Sequence, residues 1–434
     1  MKPFYTYTFA TFFNAGVSFL VFSLLTHCLS AEDYGVINLY GAFCIFMTPF
    51  LGLGMHVMLG VDYFKLDEKG FKNQFVNAMA LPVISTIFFT ILFALFHQHI
   101  ERLLHIDFLF TVTFPFCASM ILVNDIFLVL LRNKNKHYAF AGMSIAKNLV
   151  EVGTTVLLIY FIPLAWRGRV IGSTMALVVG MGIAFYYLRK WRLMDGKFER
   201  HKLRENFRIG LPLVPERLAI FVLSFSDRFF IDYFATSKDV GQYSAGAQIS
   251  VIVRLMIVTL VTTYQPAIMR ELAQKTVNYM ALRKQNLQFI VISLVTMLGM
   301  VVSTPLIFKW FIGKDFQAGQ GYAMVLTLSM FFSGLQSLMV SYLLFQKKNK
   351  LMMNISFVGV AVSCLLNYFN VQAYGPMGAA YTSLVVYALM AGIVMYYVHR
   401  YYGLRQIFLG QPAPAAATPA AVLAEPAEPV AEVK

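Results

Sequence analysis

The chain has 434 residues, 59% of them hydrophobic and 13% charged, with 41 Phe, 23 Tyr and 23 Met. A soluble domain needs a polar surface that this composition cannot supply, so it predicts a polytopic membrane protein. A net charge of +14 would suit nucleic acid, but Lys and Arg sit in short segments between apolar runs, not in an aromatic-interleaved basic patch, which argues against a nucleic-acid partner.

A bilayer span takes about 20 apolar residues, and the sequence offers roughly twelve such stretches. In chain order they run 6–28, 36–60, 75–97, 106–131, 139–163, 170–188, 209–233, 241–268, 286–308, 321–345, 351–373 and 377–398. The first is too long for a secretory signal and lacks a small-x-small cleavage site, so it is expected to stay in the protein. Cys28, Cys44, Cys117 and Cys364 stand far apart inside apolar segments, without the paired spacing of a zinc or redox site. No metal and no cofactor are expected.

With the N-terminus inside, the inner connections collect 25 of the 35 Lys and Arg. The outer ones hold Arg102, Arg167, Arg169, Lys238, Lys309 and Lys314, while Lys147, Arg217, Arg228 and Arg254 lie within spans. Basic residues concentrate on the cytoplasmic side of a membrane protein. Both termini are therefore predicted to be cytoplasmic.

An internal repeat accompanies the spans. "SAEDYG" (Ser30–Gly35) is echoed by "TSKDVG" (Thr236–Gly241) at an offset of 206, and Gly172 pairs with Gly378 at the same offset. "LLRNKNK" (Leu130–Lys136) is echoed by "LLFQKKNK" (Leu343–Lys350), and the sixth and twelfth spans end in "YYLR" and "YYVHR". In order and six spans apart, these matches predict two halves of the same orientation. The predicted fold class is an all-α membrane protein of about 12 transmembrane helices, arranged as two parallel, duplicated six-helix bundles around a central cavity. The expected divisions are an N-terminal lobe (1–188), a basic cytoplasmic linker (189–208), a C-terminal lobe (209–405) and a disordered Pro/Ala-rich tail (406–434).

Charges inside the spans are the candidate functional groups, because each costs at least about 2.5–3.5 kcal/mol at mid-bilayer unless it faces a wet cavity or a partner. In the seventh span Arg217, Phe221, Ser224 and Arg228 share one helix face, the two arginines about 16 Å apart. Glu216 and Asp227 form a neighbouring stripe, and Asp232 follows Arg228 at i+4, where the two can pair. Arg254 lies near the middle of the eighth span, too deep to snorkel to either side. In the fifth span Lys147 and Glu151 stand at i and i+4, and Asp125 on the fourth lies at similar depth. Arg217, Arg228, Arg254 and Lys147 are candidates for binding an anionic substrate, since guanidinium forks match phosphate and carboxylate oxygens. Asp125, Glu151, Glu216, Asp227 and Asp232 are candidates for balancing charge or coupling transport to a cation. Static salt bridges are the competing reading. Asn14, Gln248, Gln336 and Asn367 read as helix-packing groups. Glu32 and Asp33 lack the large external loop that a catalytic acidic pair would need, and no nucleotide-binding motif is present, so a transporter rather than an enzyme is expected.

At these residues the sequence resembles a known family. "GLPLVPERLAIFVLSFSDRFFIDYF" (Gly210–Phe234) and the following "DVGQYSAG" are similar to the signature of bacterial polysaccharide (O-antigen type) repeat-unit flippases, in the multidrug/oligosaccharidyl-lipid/polysaccharide exporter superfamily. "LSAEDYGVINLYGAF", "LLRNKNKHYAFA" and "YGPMGAAYTSLVVY" match its other recurrent places, so the resemblance covers residues 4–400. Glu216 and Arg217 depart from it, standing where relatives often carry small polar residues. The resemblance implies transport of undecaprenyl-diphosphate-linked oligosaccharide across the bacterial inner membrane by alternating access. It also implies work beside polysaccharide polymerase and chain-length machinery. Short connections and a self-contained pair of bundles predict a monomer. A multidrug antiporter of the same superfamily should favour acidic cavity groups, and a polymerase or ligase of lipid-linked sugars should carry an external catalytic loop.

Overall fold

The computed structural model describes residues 2–99, 107–274 and 276–410. Arg102, Lys275 and the Pro/Ala-rich segment from Gln411 onward, with Lys434, lie outside the described residues. Among the described residues every regular element is helical. Eleven helices are long and apolar enough to cross a membrane, and Phe13–Cys28 adds a shorter apolar one, in line with the expected count of about twelve.

In chain order the helices are α1 (Lys2–Cys28), α2 (Ala31–Gly52), α3 (Met55–Lys65), α4 (Glu68–Leu95), α5 (Phe108–Asn133), α6 (His137–Val156) and α7 (Ala165–Lys190). Beyond these come α8 (Arg200–Gly210), α9 (Val214–Phe234), α10 (Ser237–Leu272), α11 (Tyr279–Phe311), α12 (Gly319–Phe345), α13 (Asn349–Tyr374), α14 (Pro376–Tyr402) and α15 (Leu404–Leu409). They form two compact units: unit 1 holds residues 1–244 and 311–317, and unit 2 holds 245–310 and 318–434. The division falls inside α10.

Unit 1 is built around aromatic packing. Tyr40, Phe43, Phe93 and Phe114 meet from α2, α4 and α5, with the Tyr40 and Phe114 rings stacked 4.6 Å apart. The second expected span is broken, because Leu53 and Gly54 take left-handed φ of 44° and 71° and separate α2 from α3. The basic segment after α7 is held to α4. Asn77 Nδ2 donates to the Lys197 carbonyl at 2.9 Å, the Glu199 amide donates to Asn77 Oδ1 at 2.8 Å, and Gln74 Nε2 donates to Asn206 Oδ1 of α8 at 2.8 Å. Unit 2 repeats the device: Asn286 Nδ2 on α11 donates to the Ile407 carbonyl at 3.2 Å and to the Tyr342 hydroxyl at 2.8 Å.

The duplication is visible in the backbone. Ser30 and Thr236 cap α2 and α10 alike, accepting from the Asp33 amide at 3.0 Å and the Asp239 amide at 3.2 Å. The two echoed loops close by matching hydrogen bonds: the amides of Lys134, Asn135 and Lys136 donate to Leu130, Arg132 and Leu131, and those of Gln346, Lys347 and Lys348 donate to Tyr342, Leu344 and Leu343. Asn135 and Lys347 take the left-handed position in each, at φ 55° and 56°.

The repeated glycines pack on one another. A Cβ at Gly35 would lie 3.1 Å from the Gly241 nitrogen and against the Ser237 carbonyl, and a Cβ at Gly241 would lie 3.1 Å from the Gly35 nitrogen and against the Ala31 carbonyl. Two helix starts related by the repeat thus cross at backbone distance, as small residues permit inside a membrane. Gly35→Ala and Gly241→Ala are each expected to lower the thermal unfolding midpoint of detergent-purified protein, through an overpacking cost on the order of 1–3 kcal/mol. Gly299→Ala, where nothing lies within 4 Å of the added Cβ, is expected to leave the midpoint unchanged or raise it. Equal midpoints for all three would overturn this account of the crossing.

Candidate functional site

The close start of α10 on α2 brings three elements of unit 1 together around Asp227 and Arg228. Arg228 Nη1 on α9 donates to Asp227 Oδ1 at 3.1 Å, with the two side chains 11% and 13% exposed. The same guanidinium donates to the Ser224 carbonyl at 3.3 Å and lies 5.2 Å from the Phe225 ring centroid. Asp227 also accepts from the Arg228 amide at 2.9 Å and, through Oδ2, from the Tyr243 hydroxyl of α10. Asp232, one turn on, accepts from Ser237 Oγ at 2.8 Å. The ion pair of Arg228 is therefore with its chain neighbour.

A second cluster joins α6 and α7. Glu151 is paired with Arg169, whose Nη2 lies 2.5 Å from Glu151 Oε1 and whose Nη1 donates to Thr155 Oγ1 at 3.3 Å. This corrects two expectations: Arg169 is not in an outer connection, and the ion-pair partner of Glu151 is not Lys147. The sixth span begins at Ala165, a full turn before the expected residue 170, so Arg169 lies within the helix. Its place there is signalled by Gly168 and Gly172, whose added Cβ atoms would lie 3.2 Å from the Leu158 carbonyl carbon and 3.2 Å from the Glu151 carbonyl oxygen. Tyr34 of α2 is buried and lies within electrostatic reach of both Arg169 of α7 and Arg228 of α9.

Lys147 and Asp125 lie on α6 and α5. The charges acting on Lys147 are Asp125 first and Glu151 second, yet no ion pair within 4.0 Å joins Lys147 to either among the described residues. The Lys147 stem runs over α7, its Cδ 2.8 Å from where a Cβ of Gly180 would stand, beside buried Asn124. Asp125 itself is exposed. Asn14 accepts from Asn148 Nδ2 at 2.7 Å, tying α1 to α6.

Arg217 is half-buried on α9, where its charge acts on His56 of α3, and its neighbour Glu216 is exposed. Arg254 belongs to unit 2, on an exposed position of α10, and makes no ion pair among the described residues. Among the described residues no group of three or more His, Cys, Asp and Glu is placed to hold a metal ion. Among the described residues Arg169 and Arg228 are neutralised, as is Arg167 by Asp107, whereas the candidate cations Lys147, Arg217 and Arg254 have no carboxylate at salt-bridge distance.

A sequence profile described as "polysaccharide biosynthesis protein" matches residues 2–272. The chain belongs to this family. A protein of the Lsg locus of Haemophilus influenzae (strain Rd) is 25% identical over 229 residues, which are 52% of this chain and 57% of that relative. The two chains thus match over little more than half of either. Among solved structures, the lipid II flippase MurJ in an inward closed conformation aligns with a TM-score of 0.74 at 16% identity, covering 93% of this chain and 89% of that one. An inward-facing multidrug resistance MATE transporter of the MOP superfamily aligns with a TM-score of 0.67 at 14% identity, covering 89% and 94%. At such identities the likeness concerns the fold: this polysaccharide biosynthesis protein has the fold of the MOP superfamily transporters.

The Asp227–Arg228 pair makes a direct prediction. Asp227→Ala removes the neutralising carboxylate from a mostly buried guanidinium and is expected to destabilise the protein by about 3–5 kcal/mol. Asp227→Ala/Arg228→Met is expected to recover most of that loss. Thermal unfolding of Asp227→Ala, Arg228→Met and the double variant in detergent checks it, and a loss in the double variant equal to the sum of the two single losses would show that the pair is not coupled.

Proposed function

We propose that this protein carries an oligosaccharide linked to undecaprenyl diphosphate across the bacterial inner membrane by alternating access, as a transporter that catalyses no bond change. The observation that carries the reading is the surplus of unneutralised cations in apolar spans. Lys147 and Arg217 lie in unit 1 without a carboxylate within 4.0 Å among the described residues. Arg254 is more isolated still. Between Ala245 and Gly410, outside 311–317, the sequence of unit 2 has Glu271 as its single acidic residue. That carboxylate stands seventeen positions along the same helix, about 26 Å away at the α-helical rise. A cation kept in hydrocarbon without a partner is stabilised when an anion arrives, and a diphosphate supplies charge and oxygens that lysine and arginine recognise.

Membership of the polysaccharide biosynthesis family and the fold held in common with a lipid II flippase both favour a lipid-linked sugar as the cargo. In this reading Lys147, Arg217, Arg228 and Arg254 engage the diphosphate or acidic sugars. Asp227 and Glu151 hold Arg228 and Arg169 until substrate competes for them, and the exposed Asp125 and Glu216, with Asp232 beside Ser237, are the carboxylates proposed to couple transport to a cation or proton. The fold is also that of multidrug antiporters, but a surplus of basic groups repels cationic drugs. O-antigen or another surface polysaccharide is the proposed product, with a monomer working beside polymerase and chain-length machinery.

Lys147→Ala, Arg228→Ala and Arg254→Ala, at matched membrane abundance, are each expected to cut surface polysaccharide by about tenfold or more, the scale of one lost charge-assisted contact. Normal export in all three would remove these groups from the mechanism. The proposed orientation, with both termini in the cytoplasm, is tested at a native thiol. Cys28 is exposed at the end of α1, whereas Cys44 and Cys117 are buried. A membrane-impermeant maleimide added to intact spheroplasts is expected to label Cys28 and to lose that label in Cys28→Ser. Labelling that requires permeabilised membranes would reverse the topology.

A further inference from the structure

At the end of unit 1 that carries Lys65, Lys69 and Lys72, a cavity of about 480 Å³ opens beside the start of α4, lined by Tyr63, Glu68, Lys72, Lys134, Trp191 and Leu193 among others. Its size is that of a small-ligand site. Two ammonium groups reach it in different states. Lys72 Nζ is paired with Glu68 Oε1 at 2.7 Å. Lys134 Nζ is set between two rings, 4.9 Å from the Trp191 centroid and 5.4 Å from that of Tyr63, and has no carboxylate within 4.0 Å among the described residues. Aromatic faces hold a cation in position with modest energy and leave its charge in place. Burial pushes the Lys134 pKa below the ordinary lysine value; the Glu68 carboxylate opposes this, while Lys136 and Lys72 add to the depression. An anion in the cavity would offset the desolvation cost of the Lys134 ammonium and its repulsion by Lys136 and Lys72.

The duplication supplies an internal comparison. The Lys134 amide closes onto Leu130, and the Gln346 amide closes onto Tyr342 at the matching place of the second loop. Gln346 thus occupies the position of Lys134. Its side chain donates to the Tyr402 hydroxyl at 3.0 Å, a neutral and satisfied arrangement. Closing this loop therefore needs no cation. The lysine of unit 1, without a carboxylate at salt-bridge distance among the described residues and facing a cavity, calls for a reason other than the turn.

We infer that this cavity is a binding site for a phosphate group, with Lys134 as its anchor, Lys72 as a second donor, and Trp191 and Tyr63 as walls. Lysine recognises phosphate as a point charge. Two sources have this chemistry: the headgroup of an anionic phospholipid, concentrated at the basic face of a membrane protein, or a free phosphate compound. The site stands apart from the charges assigned to transport and does not depend on that assignment.

The test uses the full chain in neutral detergent with Trp166→Phe and Trp310→Phe, so that Trp191, one of three tryptophans, is the sole indole emitter. Inorganic phosphate is titrated in one arm, and phosphatidylglycerol against phosphatidylcholine in mixed micelles in the other. A saturable change in Trp191 emission is expected, weakened by about tenfold in Lys134→Gln, as for loss of a charge-assisted hydrogen bond. It should be retained in Lys134→Arg and unchanged in Lys238→Gln. Response to phosphatidylglycerol alone assigns a lipid headgroup; response to inorganic phosphate assigns a site open to free phosphate. No saturable change in either arm, or the same titration in Lys134→Gln as in the parent, overturns the inference. Lys134→Gln reproduces the residue that unit 2 carries in this turn, and Lys134→Arg keeps the charge, so the pair separates loss of the anchor from loss of the fold.

Discussion

The reciprocal crossing of α2 and α10 at Gly35 and Gly241 is the contact on which the rest of unit 1 depends. Within hydrocarbon there is no water to reward apolar burial, so helices associate through close van der Waals approach and shared polar groups. Two glycines one repeat apart let backbone meet backbone, each facing the carbonyl at the other helix's start. That contact sets the position of the neighbouring side chains on both helices. Tyr34 precedes Gly35, Tyr243 lies two residues beyond Gly241, and α9 enters α10 through the turn at Ala235 and Thr236. Asp227 and Arg228 of α9 are thereby delivered to the Tyr243 hydroxyl and to the neighbourhood of Tyr34. A bulky residue at the crossing would move all of these groups at once.

Around this frame the charges fall into two kinds. Arg169–Glu151 and Arg228–Asp227 are compensated pairs, each with a further hydrogen bond to Thr155 or Tyr243 that helps offset the cost of leaving water. Lys147 and Arg217 are uncompensated, and a static scaffold gains nothing from them. A paired arginine is released by a competing anion or by protonation of its carboxylate, whereas an unpaired cation attracts an anion from the outset. Under the proposed function, the two kinds together serve to draw in the negative charge of a substrate and pass it among several partners.

Much of this was legible in the sequence because it is local or repeated. The roughly twelve apolar stretches and the offset joining Gly35 to Gly241 are patterns of residue type along the chain, and the helices follow them except at the break after α2 and the earlier start of α7. Partner choice is not local. Glu151 has Lys147 one turn away, at a spacing that favours pairing, yet it meets Arg169, because Gly168 and Gly172 bring α7 against α6 and extend that helix back to Ala165. The break at Leu53 and Gly54 is likewise hidden in a continuous apolar run. The paired use of Asn77 and Asn286, which pin Lys197 and Ile407 in their own units, is a third case. Each asparagine looks like ordinary packing in isolation, and only the backbone it holds reveals the repeat.

Duplication also sharpens the differences between the halves. The loops at Asn135 and Lys347 share their left-handed turn and hydrogen bonds, and the capping boxes and pinning asparagines recur, so the scaffold has been kept in both copies. Beyond the matched Asp33 and Asp239, the acidic residues are unevenly divided between the units. Asp125, Glu151, Asp227 and Asp232 all lie in unit 1, while unit 2 has Glu271 as its sole acidic residue before the Pro/Ala-rich segment. A proton or metal cation held by a carboxylate within a span must therefore be held in unit 1, since Glu271 stands at the very end of α10. Arg254 has the converse position, with no carboxylate of its own unit within 4.0 Å among the described residues. The two units do not coincide with the two repeat halves, because α9 of the second half lies in unit 1, and they differ in charge: the compensated pairs lie in unit 1, while Arg254 of unit 2 has no carboxylate within 4.0 Å among the described residues.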